Sequence, residues 1–337
     1  METAPKRSWI DRLVDRVARL PVPWYVLALV AWLVLSSVLA SPLWLDGSEP
    51  FGSYPRITRV DPTYLLGAFF GYGYLARYAR RAFDRFRPAL DVPDETAAVY
   101  RHRISTLSPR VAWAMVVLGA SAAVLSTLTD EFYASFLTSA IARATWSAFA
   151  LMAGIFPLVL TLIVKQLRLV ARLHREATHI DLFRPAPFHA FAGLSARAGG
   201  MMLLWMTFAV LTDPAVFASA VWGAVVVAGI AFSAVVFLFP LIGLSRRLRA
   251  EKRRLLDESS GRIGSIRQEL HRAVESRSFD SGGELRTMLS ALSEDHDRIR
   301  RLSPWPWDTA TVRGFATTLL VPIGTWLVTN LLNRALF

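Results

Sequence analysis

From residue 215 to residue 244 the chain runs without one charged side chain. As a helix, thirty residues rise about 45 Å, more than the roughly 30 Å of a bilayer's hydrocarbon core. A soluble domain has no way to bury so long a cylinder on every side. The run ends abruptly, because Arg246, Arg247, Arg249, Lys252, Arg253 and Arg254 follow. Charges of that density are expelled from lipid, so residue 245 marks a boundary between lipid and water. Boundaries of this kind recur along the chain, and their order sets the organisation.

Apolar stretches at 22–40, 62–76, 111–127, 145–164, 198–211, 215–244 and 308–337 read as spans, about seven in all. The connectors between them differ in charge. Segment 77–110 and the stretch opened by Lys165, Arg168, Arg172 and Arg175 are basic, as is 245–307. Segment 41–61, with Pro42, Pro50 and Pro55, carries little basic charge, and Asp130, Glu131 and Asp213 mark the other two connectors on that side. Basic connectors stay inside. The expectation is a multi-pass protein of the plasma (cytoplasmic) membrane with its N-terminus inside and its C-terminus outside. The 53% hydrophobic content agrees, and the net charge of +12 is then a matter of orientation beside an anionic inner leaflet. With no aromatic-interleaved basic patch, nucleic acid is not an expected partner.

Residues 1–21 form an interfacial unit. Ile10, Leu13, Val14, Val17 and Leu20 share a face opposite Asp11, Arg12, Asp15, Arg16 and Arg19, the pattern of a helix lying in the headgroup plane, ended by Pro21 and Pro23. In 62–76, Gly67 and Gly71 make a small-xxx-small pair that permits close helix approach. Segment 179–200 mixes Phe183, Phe188 and Phe191 with Pro185 and Pro187 and reads as interfacial, its rings at the acyl boundary. Arg197 is then expected to snorkel or to face a polar cavity.

Residues 245–307 are the long piece built for water. Leu248, Leu255, Ser259, Ile263, Ile266, Leu270 and Val274 form one helical stripe, and Leu285, Met288, Leu289, Leu292, Ile299 and Leu302 form another. Residues 278–284, Ser-Phe-Asp-Ser-Gly-Gly-Glu, supply a turn and a capping box at Ser281 and Glu284. The stripes predict a cytosolic antiparallel helical hairpin with coiled-coil character. The first arm is the longer. Either it breaks at Gly261 and Gly264, or 303–307 runs extended, which Pro304 and Pro306 favour. The fold class expected is all-α: a polytopic bundle over 22–244, the hairpin over 245–307, and a last span over 308–337 opened by Asp308 as N-cap.

Motifs of chemistry are missing. The chain has no cysteine, and no phosphate loop, zincin helix or nucleophile elbow occurs. His174 and His179 are about 140° apart on a helix, poorly placed for one metal. No catalytic, cofactor-binding or metal residues are therefore assigned, no cofactor is expected, and the chain does not read as an enzyme. In the last span Thr318, Pro322, Thr325, Thr329 and Asn333 recur at helical spacing as a polar seam. It reads as interhelical bonding or as the wall of a conduit. Trp305 and Trp307 before it read as interface anchors.

The run Arg301-Leu-Ser-Pro-Trp-Pro-Trp-Asp308, with Arg313-Gly-Phe, Pro322 and Trp326 after it, resembles a pattern in uncharacterised prokaryotic multi-pass membrane proteins carrying Trp-Pro-Trp/Phe-Asp before the last transmembrane helix. The segment from Asp181 to Pro185 resembles another stretch of such proteins. The resemblance implies a prokaryotic membrane location and assigns no activity. The function expected first is a channel- or conduit-like protein coupled to the hairpin. The alternative is a signalling or scaffold protein whose hairpin self-associates into a homo-oligomer or binds a cytosolic protein partner.

Overall fold

The computed structural model describes residues 6–129, 143, 146, 147, 150, 154–176, 182, 183, 186–212, 220–275, 282–303, 305, 307 and 309–336. Among them the regular secondary structure is all helical. The α-helices are α1 (Trp9–Val17), α2 (Trp24–Leu45), α3 (Arg56–Phe86), α4 (Asp94–Ser105), α5 (Pro109–Thr129), α6 (Ile155–Glu176), α7 (Ala186–Thr212), α8 (Ala220–Glu275), α9 (Gly282–Arg301) and α10 (Thr309–Leu336). Among the described residues five segments are long and apolar enough to cross a membrane: Trp24–Leu45, Asp94–Leu125, His189–Thr212, Gly223–Glu275 and Ala310–Val328. They fall on α2, on α4 with α5, and on α7, α8 and α10.

Helices α3 and α7 hold the centre. α3 touches α1, α2, α4, α6 and α7, while α7 also carries α8 and α10. Half of the apolar window of α7 is buried, against 11% of that of α10, so α7 lies inside and α10 on the rim. The reason for α3's position is its stripe. Ala68, Tyr72, Leu75, Ala79, Ala82 and Phe86 alternate by four and three and are all buried. The stripe runs from the apolar half into the basic half, so one helix of 31 residues replaces the short apolar segment expected at 62–76.

The glycines do what their spacing suggested. A β-carbon at Gly71 would lie 2.5 Å from Met201 Sδ, and one at Gly67 would lie 3.3 Å from Trp205 Nε1. The pair thus receives two long side chains of α7 one turn apart. At the start of α6 the approach to α5 is backbone to backbone, since a β-carbon at Gly154 would lie 2.5 Å from the Val116 carbonyl oxygen. In lipid, where apolar burial drives little, such close packing is the main source of helix association.

Two local expectations need correction. Asp11 was assigned to the polar face of α1 but is buried. It accepts from the Ser8 backbone N–H at 3.1 Å and from the Ser8 hydroxyl at 2.6 Å, and Tyr72 Oη donates to it at 2.7 Å. The partners offset the cost of burial. Phe191, expected at the acyl boundary, is fully buried, its ring 4.8 Å from Phe86 and 5.5 Å from His174. Pro187 occupies the first turn of α7, where the missing N–H costs nothing, so the helix begins before Phe191 and turns it inward. Arg197, on the same helix, donates to Tyr74 Oη at 2.9 Å and stands 4.1 Å over the Tyr78 ring.

Candidate functional site: the α8–α9 base and the last helix

Helix α8 continues unbroken for 56 residues, through Gly261 and Gly264, from the apolar run into the charged one. Of the two ways to match the arms, a break at the glycines is therefore not used, and the chain at Ser303 and Trp305 is non-helical. α9 packs along the charged half of α8. Leu248, Ser259 and Ile299 are buried, Leu248 as part of the bundle core, while Leu255, Ile263, Ile266, Leu270, Leu285, Leu289 and Leu292 are half-buried. Val274 and Met288 are exposed. His296 joins the α9 stripe, completing an alternation of four and three from Leu285 to Ile299 that the apolar residues alone leave broken.

Lys252 closes the base of this pair. Its Nζ donates to the Arg300 and Leu302 carbonyl oxygens, each at 2.7 Å. The last carbonyls of a helix have no intrahelical partner, and a cation at that end also meets the negative pole of the helix dipole. The ion pairs nearby, Arg254 with Glu251 and Glu258 and Arg298 with Glu294, are surface pairs within one helix and contribute little.

From this base a line of rings leads to α10. The Arg249 guanidinium lies 5.4 Å from the centre of the Trp305 ring. Trp305 contacts Trp307 at 5.2 Å, Trp307 contacts Phe237 of α8 at 5.5 Å, and Phe237 stacks on Phe315 of α10 at 4.0 Å with 7° between planes. Gly199 of α7 makes room for the stack, since a β-carbon there would lie 2.9 Å from Phe315 and 2.9 Å from the Ser233 carbonyl oxygen. Of the two expected anchors, Trp305 is exposed and Trp307 is buried against Phe237. Phe237 and Gly199 are not singled out in the sequence, and Phe315 enters there only as the end of the Arg313-Gly-Phe run. Nothing local marks them, because the stack joins residues far apart in the chain.

In the expected seam, Thr318 and Thr325 are half-buried and Pro322 is buried. The Thr318 hydroxyl donates to the Gly314 carbonyl oxygen at 2.7 Å, one turn back on its own helix. The side chains of Thr329 and Asn333 lie outside the described residues, as do Ser281 and Asp308, the two expected caps. Trp326 packs beside Val210 and Val226, which puts this side of α10 toward α7 and α8.

Connectors also meet at the basic end of the bundle. Arg247 donates to the His174 carbonyl oxygen, tying α8 to α6. Tyr100 of α4 donates to Glu176 Oε2 at 2.9 Å, and Arg172 donates to Oε1 at 2.8 Å. The Arg172 hydrogen bond, helped by Tyr100, holds the Glu176 carboxyl below its ordinary range. Burial, with Glu176 adding, pushes the Tyr100 hydroxyl up. Among the described residues no group of three or more His, Asp or Glu is arranged to hold a metal. The fold is all-helical, with five helices among the described residues long and apolar enough to cross a membrane. No family model, curated protein or solved structure matches the chain.

Proposed function

We propose that the chain is a seven-span protein of the cytoplasmic membrane, N-terminus inside, that works as a signalling or scaffold device. Its cytosolic hairpin, α8 beyond residue 245 with α9, receives a protein partner or a second copy and passes its position to the last span. The observation carrying this reading is the unbroken α8 joined to α10 by the Trp307–Phe237–Phe315 contacts. A rigid rod and a stack of flat rings transmit a displacement better than a flexible linker would. The two spans added to the five apolar ones are α3 and α6. Both lie against other helices, and a helix surrounded by protein needs less apolar surface than one facing lipid. The basic ends of α3, α6, α8 and α9 fall on one side under this topology.

The chain has no cysteine, so introduced cysteines label it cleanly. With spin labels at Gln268 and Leu331 in nanodiscs, Lys252→Glu should broaden the distance distribution and Phe315→Ala should uncouple the α10 label from the arm. An α10 label indifferent to the arm would remove the coupling. Tags at Met1 and Phe337 should report opposite compartments.

The conduit reading draws support from the polar residues Thr318 and Thr325 on the bundle side of α10. In that case liposomes carrying the protein pass an ion or solute, and Thr325→Leu changes the flux. Silent liposomes leave the scaffold reading alone.

A further inference from the structure

The ends of α1 and α2 and the middle of α3 enclose a groove of about 290 Å³, near the lower limit for small-ligand sites. Its two ends differ. One is walled by Trp24 and Leu27 of α2 and by Phe69 and Phe70 of α3, with the Trp24 and Phe70 rings 6.1 Å apart. Arg77 stands at the other, two helical turns or about 10 Å further along α3. Val14, Ala18 and Val22 of the N-terminal segment close the side. The mouth is apolar as well, since Leu20, Val22 and Trp24 are exposed.

The charge at the groove is only partly answered. The acidic residues of α1 have nearer partners, Asp11 in Ser8 and Tyr72, Asp15 in Arg7 at 2.7 Å. Arg77 makes no hydrogen bond or ion pair among the described residues; Asp15 attracts it from a distance, and Arg80 and Arg81 on the next turn each repel it more strongly. A half-buried guanidinium facing an apolar channel fits an occupant that is anionic at one end and a hydrocarbon at the other. Free phosphate would leave the aromatic walls uncovered, and a neutral lipid would leave Arg77 with only the distant attraction of Asp15 against the repulsion of Arg80 and Arg81. The groove lies beside an amphipathic helix and at the start of an apolar one, the depth at which headgroups meet acyl chains.

We propose that this groove is a binding site for one anionic phospholipid, its phosphate on Arg77 and an acyl chain between Trp24 and Phe70. The site does not depend on the role of the hairpin, and its test is blind to that role. Full-length protein, delipidated in mild detergent, is given phosphatidylglycerol, phosphatidylcholine or inorganic phosphate, and bound lipid is counted by native mass spectrometry. Phosphatidylglycerol should be retained at least fivefold better than phosphatidylcholine. Arg77→Gln should abolish that preference, Arg77→Lys should keep most of it, and Ala18→Trp, which fills the groove, should reduce retention with Arg77 intact. Equal retention of both lipids, or a preference unchanged in Arg77→Gln, would overturn the site. Phosphate displacing phosphatidylglycerol as well as a second lipid does would overturn the acyl half of it.

Discussion

A β-carbon added at Gly154 would come within 2.5 Å of the Val116 carbonyl oxygen, whereas one added at Gly261 or Gly264 would meet nothing within 4 Å. The first glycine belongs to the bundle and the second two to the charged half of α8. In the bundle, helices approach backbone to backbone at Gly154 and Gly119, and side chain into gap at Gly71 and Gly229. Volume decides stability there. In the α8–α9 pair the contact is a stripe, half-buried along most of its length, held at its base by one lysine on two carbonyls. Exclusion of water and electrostatics decide stability in that part. One chain therefore uses two kinds of helix association, divided near residue 245.

The largest effect should come from crossing that line with one methyl group. Gly154→Ala has to displace the backbone of α5, which a flexible side chain would not require. We expect a loss of about 3 kcal/mol or more, seen as a fall in Tm in detergent. Gly261→Ala, in an open helix interior, should gain up to about 1 kcal/mol from helix propensity alone. If both substitutions prove neutral, the contrast between the two regions is wrong.

Next in size is Tyr72→Phe. It removes the donor to Asp11 Oδ1 inside the bundle and leaves a buried carboxylate oxygen short of a partner, a cost of about 1–3 kcal/mol. Hydrogen exchange should quicken in Trp9–Val17 and hardly change in α6 or α7. Uniform quickening would mean that α1 is part of the core and not a helix docked on it.

Lys252→Met tests the other region, with an expected loss of about 1–2 kcal/mol, since the two hydrogen bonds are charge-assisted but partly in water. The amides near the C-terminal end of α9 should exchange faster while those of α3 and α7 keep their protection. Were the bundle to loosen by the same amount, the arm would be no separate unit of stability.

What the sequence revealed follows the same division. The apolar helices α2, α5, α7, α8 and α10 were legible because a helix facing lipid has to be continuous in composition. α3 was cut short at Ala76 because Arg77, Arg80 and Arg81 change the composition while the stripe Ala68–Tyr72–Leu75–Ala79–Ala82–Phe86 continues through them. Period, not hydropathy, was the better guide for a helix buried among others. The arm's stripes were legible for that reason, except that Val274 and Met288, counted in them, are exposed, and that the polarity of His296 hid a seam position. At the candidate site, Trp305 and Trp307 were visible from composition beside a span. The pairing of Phe237 with Phe315 was not, because the stack that joins them is a tertiary contact with no trace in local spacing.

The smallest effect concerns the basic end of the bundle, where α4 meets α6. Glu176 is held below its ordinary range by Arg172 and Tyr100. A carboxyl whose folded pKa is depressed adds stability that is fully present above its unfolded value, 4.5 for a glutamate, and lost as pH falls through the lower folded value. The Arg172 and Glu176 side chains are 56% and 32% exposed, so solvent screens the pair and the contribution is well under about 1 kcal/mol. Between pH 6 and pH 3 the stability difference between the natural protein and Glu176→Gln should therefore shrink toward zero. The Tyr100 hydroxyl can still donate to the glutamine carbonyl, so that neutral hydrogen bond cancels in the comparison and the part that disappears on acidification measures the charge. A difference that grows on acidification would reverse the sign and place the depressed carboxyl somewhere other than Glu176.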